Sequence, residues 1–489
     1  MQTNYESTRN ANHTASAKQA ILEGICRDGG LYVLRDLPDL SVDLDQILNQ
    51  NYLENAVYVL SKLLGNYTKE ELEECVKNAY TSSFSNEAIT PVRKVDDVYV
   101  LELFHGPTSA FKDVALTLLP QLMSVALRQN DAKALILTAT SGDTGKAALS
   151  GFQDVDRIAI NVFYPDGKVS AVQQAQMATQ KGNNVHVYGI EGNFDDAQSQ
   201  VKKLFLDEEL NNQAKEKNIL LSSANSINVG RLVPQIVYYF DAYKQLVNQG
   251  VIKKGDKVTF SVPTGNFGDV LAGYYAYLMG LPVKKFLVAS NANNVLTDFL
   301  KTGVYDRNRD FIKTISPSMD ILISSNLERL LYYMSGRDNE KVAGWMKDLA
   351  DTGRFDVGSD VLEKIQSLFE GDYVDDDQTR AIIDETYKKS GIVLDPHTAI
   401  GYGVAKKLGE GVVVSLATAS PYKFSQDVLA ALGQKQNDEW QAMKDLAKIS
   451  QDAIPQGLAE LESLPVLHDA VVSVEGMKKT VADAMAELA

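Results

Sequence analysis

From about residue 97 onward, short apolar runs alternate with helix-length stretches, and this alternation constrains the fold more than any other feature. The runs fall at 98–103, 134–138, 157–162, 184–188, 257–262, 285–289 and 411–416. They are rich in Val and Ile, and most end at a cluster of Gly, Ser, Thr or Asn. Continuous apolar runs mark strands covered on both faces, and the intervening stretches, such as 114–128, supply the covering helices. The expectation is an α/β fold with parallel sheets. In such folds ligands sit beyond the carboxyl ends of the strands, so chemistry is sought in the polar clusters that follow them.

Two regions depart from this rhythm. Residues 1–95 read as a separate, mainly helical module, with an amphipathic stretch at 16–25, a turn into a short strand at Asp28-Gly29-Gly30-Leu31-Tyr32, and helix, loop, helix over 43–81. Residues 296–390 read as a helical insertion, and 436–489 as a helical tail. The remainder divides into a large domain, 96–130 with 210–435, and a small one, 131–209. A chain of 489 residues accommodates this, at roughly 150 residues per domain.

Charge and composition exclude several classes. The net charge of −16 opposes nonspecific nucleic-acid binding, which requires phosphate neutralisation. A local cluster of donors can still take an anionic substrate. Five scattered histidines and two isolated cysteines offer no metal-ligand spacing. No apolar run approaches the ~18 residues of a membrane span, and the N-terminus lacks the apolar segment of a signal peptide. A cytoplasmic protein without membrane, nucleic-acid or metal partners is expected.

Five clusters carry chemistry. Phe104-His105-Gly106-Pro107-Thr108-Ser109-Ala110-Phe111-Lys112-Asp113 puts one lysine ahead of an apolar helix, where a partly desolvated amine can act as a covalent catalyst. Thr140-Ser141-Gly142-Asp143-Thr144-Gly145 joins a strand to a small-residue helix and forms an anion cradle or simply a capped helix. It fails the nucleotide P-loop template, because Ala147 stands where Ser or Thr would bind magnesium. Thr264-Gly265-Asn266-Phe267-Gly268-Asp269 repeats the strand–glycine loop–helix order, with glycines that let backbone N–H groups converge on a phosphate. Asn225 and Arg231 suit a phosphate monoester or carboxylate, or Arg231 pairs with a surface acid. Thr418, in Ser415 to Phe424, offers a neutral hydroxyl for a heterocycle nitrogen, or the segment is a helix N-cap.

Taken together these motifs resemble the threonine synthases, which use pyridoxal phosphate and belong to fold type II. The resemblance covers nearly the whole chain. Tyr5-Glu6-Ser7-Thr8-Arg9 opens it. Ser316-Pro317-Ser318-Met319-Asp320-Ile321, Ser325-Asn326-Leu327-Glu328-Arg329 and Asp395-Pro396-His397-Thr398-Ala399 follow in the family's order. The resemblance implies two parallel-sheet, three-layer domains of the tryptophan synthase β-like kind. It also implies a carbon–oxygen lyase that eliminates phosphate from O-phospho-L-homoserine and adds water to give L-threonine. Carried over by motif, Lys112 is the Schiff-base lysine, and Gly265, Asn266, Phe267 and Gly268 hold the cofactor phosphate. Asp143 lies near the cofactor's phenolic oxygen and Thr418 faces its ring nitrogen. Thr140, Ser141, Thr144, Asn225 and Arg231 bind the substrate phosphate. The enzyme is expected as a monomer or homodimer. Asn10 and Ser420 depart from the family pattern, where Gly and His are usual.

Overall fold

The computed structural model describes residues 4–140 and 142–489. Two sheets organise the molecule. The larger has six strands in the order Phe369–Tyr373, Val283–Ser290, Val258–Pro263, Val413–Ala417, Val98–Glu102 and Val92–Val95. All neighbours in it are parallel except Val92–Val95, which closes one edge antiparallel to Val98–Glu102. The smaller has five parallel strands: Val471–Val472, Val185–Ile190, Ile158–Pro165, Lys133–Ala139 and Ile219–Ser222. Every residue of Ile158–Pro165, Val258–Pro263 and Val413–Ala417 is buried, which is why these segments read as unbroken apolar runs.

The expected strands all form, and the structure adds others. Phe369–Tyr373 lies inside the region expected to be a helical insertion, yet it forms the outer parallel strand of the six-stranded sheet. Val304–Asp306 and Arg354–Asp356 pair there as a small antiparallel ribbon. Ile219–Ser222 joins the five-stranded sheet, so a domain boundary at 209 falls one strand early. The tail contributes Val471–Val472 to that same sheet besides its helices. The N-terminal module holds a three-stranded antiparallel sheet, Asn10–Ser16, Asn4–Ser7 and Tyr32–Leu34, as well as its helices. Asn10–Ser16 reads Asn-Ala-Asn-His-Thr-Ala-Ser and is mostly exposed or half-buried, so it lacks the apolar alternation that marks a strand.

The N-terminal module braces the centre of the molecule. Tyr80 donates its hydroxyl to the Val114 carbonyl at 2.7 Å, in the short helix that Lys112 opens. Ser222 and Asn228 donate to the Leu22 and Ile21 carbonyls, at 2.7 and 2.9 Å. The buried helix Val229–Asn248 packs against helices Tyr52–Leu63, Gly268–Leu278 and Lys112–Leu116. The site loops are thereby held by one continuous core.

Candidate active site

Lys112 is presented by a loop that backbone and carboxylate bonds hold in place. Thr108 donates its N–H and hydroxyl to the Asp113 carboxylate, at 2.8 and 2.6 Å. Gly106 is required at this point, because a Cβ there would come within 2.4 Å of the Asp113 Cβ. The loop is also stitched to the segment after strand Val413–Ala417. Phe111 N donates to Thr418 O at 2.8 Å, and Ser420 N donates to Ser109 O at 3.0 Å. Lys112 is half-buried by surface, with its amine end enclosed by protein. That enclosure pushes the amine down to about 8; Asp143 opposes the shift, and the positive charges of Lys423 and Arg231 reinforce it.

The turn after Val258–Pro263 is fixed from behind. Ser324 donates its hydroxyl to Gly265 O at 2.6 Å, and Asn326 N donates to Asn266 O at 3.0 Å. A Cβ on Gly265 would lie 2.9 Å from the Ser318 carbonyl oxygen, so only glycine fits. Phe267 is buried in the left-handed region at φ 63°, which turns the chain into helix Gly268–Leu278. Thr264 donates its hydroxyl to Asp269 Oδ1 at 2.7 Å. Burial pushes the Asp269 carboxyl up to about 6 against that bond.

The opposing turn, after Lys133–Ala139, differs in make-up. The Thr140 hydroxyl accepts from Gly142 N and Gly145 N, both at 2.9 Å, so it builds the turn itself. Thr144 is half-buried in the first turn of helix Asp143–Phe152. Ser141 lies outside the described residues. Asp143 Oδ1 accepts from Lys423 Nζ at 2.8 Å and from Gln173 Nε2 at 3.1 Å. Burial raises its carboxyl, but the ammonium groups of Lys423 and Lys112 outweigh this and hold it well below the usual range. Two buried residues here, Lys423 and Gln173, carry no role in the sequence reading. Lys423 sat within the late cluster at 415–424, but nothing in its local sequence signals burial.

Arg231 lies in the first turn of Val229–Asn248 and is 3% exposed. Its Nη1 donates to Ala224 O at 2.8 Å, while its buried Nε has no hydrogen-bond partner. Among the described residues no acid lies within ion-pair distance of it. Burial pushes the guanidinium down to about 10. A buried cation with a spare donor and no counter-ion is what an anion site looks like when built from a side chain. Asn225 is half-buried on the same connection, between Ile219–Ser222 and the Arg231 helix.

Behind Thr418 runs a buried polar chain. Thr418 N donates to Thr398 Oγ1 at 3.3 Å, and the Thr398 hydroxyl donates to Asp395. His397 Nδ1 sits 2.8 Å from Asp395 Oδ1, and its Nε2 accepts from Ser318 N at 3.2 Å. The backbone donor at Nε2 leaves the ring proton on Nδ1. Arg329, fully buried, ties three remote segments together by donating to Tyr32 O, Asn326 Oδ1 and Ile227 O. Among the described residues no cluster of three or more His, Cys, Asp or Glu is arranged to hold a metal.

A lysine on a braced helix start, beyond the strand ends of two parallel sheets, beside a glycine turn whose shape a Cβ would spoil, defines a class. The fold is that of the type II pyridoxal-phosphate-dependent enzymes, and residues 84–360 match the family model described as "Pyridoxal-phosphate dependent enzyme". Residues 4–80 match "Threonine synthase N terminus", and 398–481 match "Threonine synthase, C-terminal". The chain belongs to the threonine synthase family. It is 40% identical over 437 residues to the threonine synthase of Pseudomonas aeruginosa, covering 88% of this chain and 91% of that protein. It is 38% identical over 468 residues to human threonine synthase-like 1, covering 93% of this chain and 62% of that protein, so it spans about three-fifths of that relative's length. The crystal structure of the PLP-bound threonine synthase from Brucella melitensis superposes with a TM-score of 0.89 at 38% identity, covering 99% of each chain.

Proposed function

We propose that this chain is a threonine synthase, a carbon–oxygen lyase that converts O-phospho-L-homoserine and water to L-threonine and phosphate. The observation that carries the reading is Arg231: a buried guanidinium with an unpartnered Nε, close enough for its charge to act on Lys112. Together with the glycine turn it makes two anion pockets. A dehydratase of the same fold needs only one, for the cofactor phosphate.

Gly265, Asn266, Phe267 and Gly268 would hold the phosphate of pyridoxal phosphate, with Lys112 as its covalent anchor and Thr418 at the ring nitrogen. When bound, the cofactor supplies an electron sink for charge developing beside the substrate amine. Lys112 would take the α-proton from the substrate. Its depressed basicity leaves a useful fraction neutral near pH 8. Thr418 presents a neutral hydroxyl and so does not hold a proton on the ring nitrogen as a carboxylate would. Arg231, with Asn225, Thr140, Ser141 and Thr144, grips the substrate phosphate and leaves it positioned to depart from the γ-carbon. A cytoplasmic monomer or homodimer completes the reading; two buried free cysteines support a reducing setting, and no helix among the described residues is long and apolar enough to cross a membrane.

The test is phosphate release and threonine formation from phosphohomoserine, alongside borohydride trapping and peptide mapping. Lys112→Ala is expected to lose turnover by at least about a thousandfold, together with the visible absorbance of bound cofactor. Keto-acid formation from threonine, without phosphate release from phosphohomoserine, would overturn the assignment.

A further inference from the structure

Lys423 is a lysine the reading above leaves unused. It sits in the single turn Pro421–Phe424 that follows strand Val413–Ala417 of the six-stranded sheet, and its side chain is 0% exposed. Its ammonium donates to Asp143 Oδ1 at 2.8 Å and to Thr108 O at 3.0 Å. Asp143 belongs to the helix that follows Lys133–Ala139 of the other sheet. Thr108 belongs to the Lys112 loop, where its own N–H and hydroxyl bind Asp113, the next residue after Lys112. One ammonium therefore joins both sheet units to the loop that carries the catalytic lysine.

Stability alone does not call for this arrangement. Apolar residues of similar volume generally replace a buried ion pair at no loss, so retaining one costs stability for some other return. The return lies in where the charges stand. The charged groups that act on the Lys112 nitrogen are Asp143 and Asp269 on the acidic side and Lys423 and Arg231 on the basic side. Asp143 and Lys423 act on it in opposite directions within this set. A bare carboxylate at position 143 would repel a phenolic oxygen of the cofactor, whereas the pair presents no net charge.

We propose that Lys423 is a second active-site lysine, a positioning residue that locks Asp143 of the smaller sheet unit onto the Lys112 loop and, as one member of a neutral pair, sets the field at the Lys112 nitrogen. The proposal rests on the reading that Lys112 carries the cofactor.

Four variants of the holoenzyme test it: Lys423→Met, Asp143→Asn, the two combined, and Lys423→Arg. The first readout is the pH titration of the visible absorbance of the Lys112-linked cofactor. Lys423→Met removes a cation and uncovers an anion, so the linkage should titrate higher, by about one unit. Asp143→Asn should move it lower by a similar amount. The combined variant removes both charges and should return to within a few tenths of the parent, and it leaves no unpaired buried charge to hinder folding. Lys423→Arg keeps the charge and should keep the titration. The second readout is kcat, which should fall about a hundredfold in each of Lys423→Met and Asp143→Asn, and no further in the combined variant, because the pair acts as a unit. Unmoved titrations in the single variants, losses that multiply in the combined one, or a Lys423→Arg shift as large as that of Lys423→Met would each overturn it. Parent protein that traps no cofactor at Lys112 under borohydride would instead overturn the functional reading beneath it.

Discussion

The turns that end Val258–Pro263 and Lys133–Ala139 look alike in sequence and differ in kind. Both run strand, glycine loop, helix. The first is a shape made of backbone: Ser324 and Asn326 fix its carbonyls, Ser318 walls it in, and its nearest acid, Asp269, is pushed up to about 6 by burial. The second is a charged seam: Asp143 is ionised against Lys423, and Lys146, pushed down to about 8 by burial, donates to Gln180 Oε1 at 2.6 Å. A glycine turn thus does not define one function. A closed backbone cradle suits a permanently held phosphate. A seam of side-chain charge between two sheet units suits a group that arrives and leaves.

The comparison breaks most sharply at Gly265. Gly265→Val puts a branched side chain 2.9 Å from the Ser318 oxygen and 3.3 Å from the Met319 Cα, both backbone atoms that no rotamer change relieves. Overpacking of this kind costs about 1–3 kcal/mol, so cofactor affinity should fall by about tenfold to a hundredfold in a fluorescence titration of the apoenzyme. Gly142→Ala is the control on the other turn. Its Cβ would meet the flexible end of Gln173 at 2.3 Å, and its φ of 147° is strained for alanine. That variant should damage substrate kcat/KM more than cofactor affinity. If Gly142→Ala releases the cofactor and Gly265→Val does not, the two turns have been assigned the wrong way round.

Arg231→Ala should show the next largest effect. It removes a charge-assisted bond on the order of 1.5–3 kcal/mol, and the loss should appear in the KM for phosphohomoserine with the cofactor spectrum unchanged. Release of cofactor with intact substrate affinity would place Arg231 at the wrong phosphate.

The contrast between the turns was only half legible beforehand. The strands of both sheets could be read because burial on two faces forces unbroken Val and Ile runs. Phe369–Tyr373 escaped because Phe-Glu-Gly-Asp-Tyr mixes polar residues into an outer strand, and Asn10–Ser16 because it is largely polar. Gly265 was legible because the Ser318 backbone leaves no room for a Cβ, whereas a Cβ on Gly268 would meet only the Asn326 side chain at 3.6 Å. Lys423 was not, because its burial and its partner come from a different sheet 280 positions away in sequence, from Asp143. Arg231 was readable as a donor, but the absence of an acid beside it is a property of the fold alone. The substrate role of Thr140 comes from the family motif; that its hydroxyl also builds the turn is visible only in the fold.

The finest test of the comparison is the pH dependence of stability, because the two acids are shifted in opposite directions. Asp269, raised to about 6 by burial, favours the folded state while it is protonated; that contribution is full below pH ~4 and is lost as pH rises through 6. Asp143, depressed by Lys423 and Lys112 despite its burial, favours the folded state while it is ionised; that contribution is full above pH ~4 and is lost as pH falls below it. Of the two, only Asp269 changes between pH 4 and 6, and it should add on the order of 2 kcal/mol to the downward slope of urea-unfolding stability there, beside the share of Glu439, whose carboxyl burial raises to about 7. Asp269→Asn should make that slope shallower and leave the acid limb below pH 4 intact. Asp143→Asn should do the reverse, softening the acid limb and leaving the slope between 4 and 6 in place. If both variants reduce the slope in the same window, the carboxylates share one environment, and the division into a neutral backbone cradle and a charged seam fails.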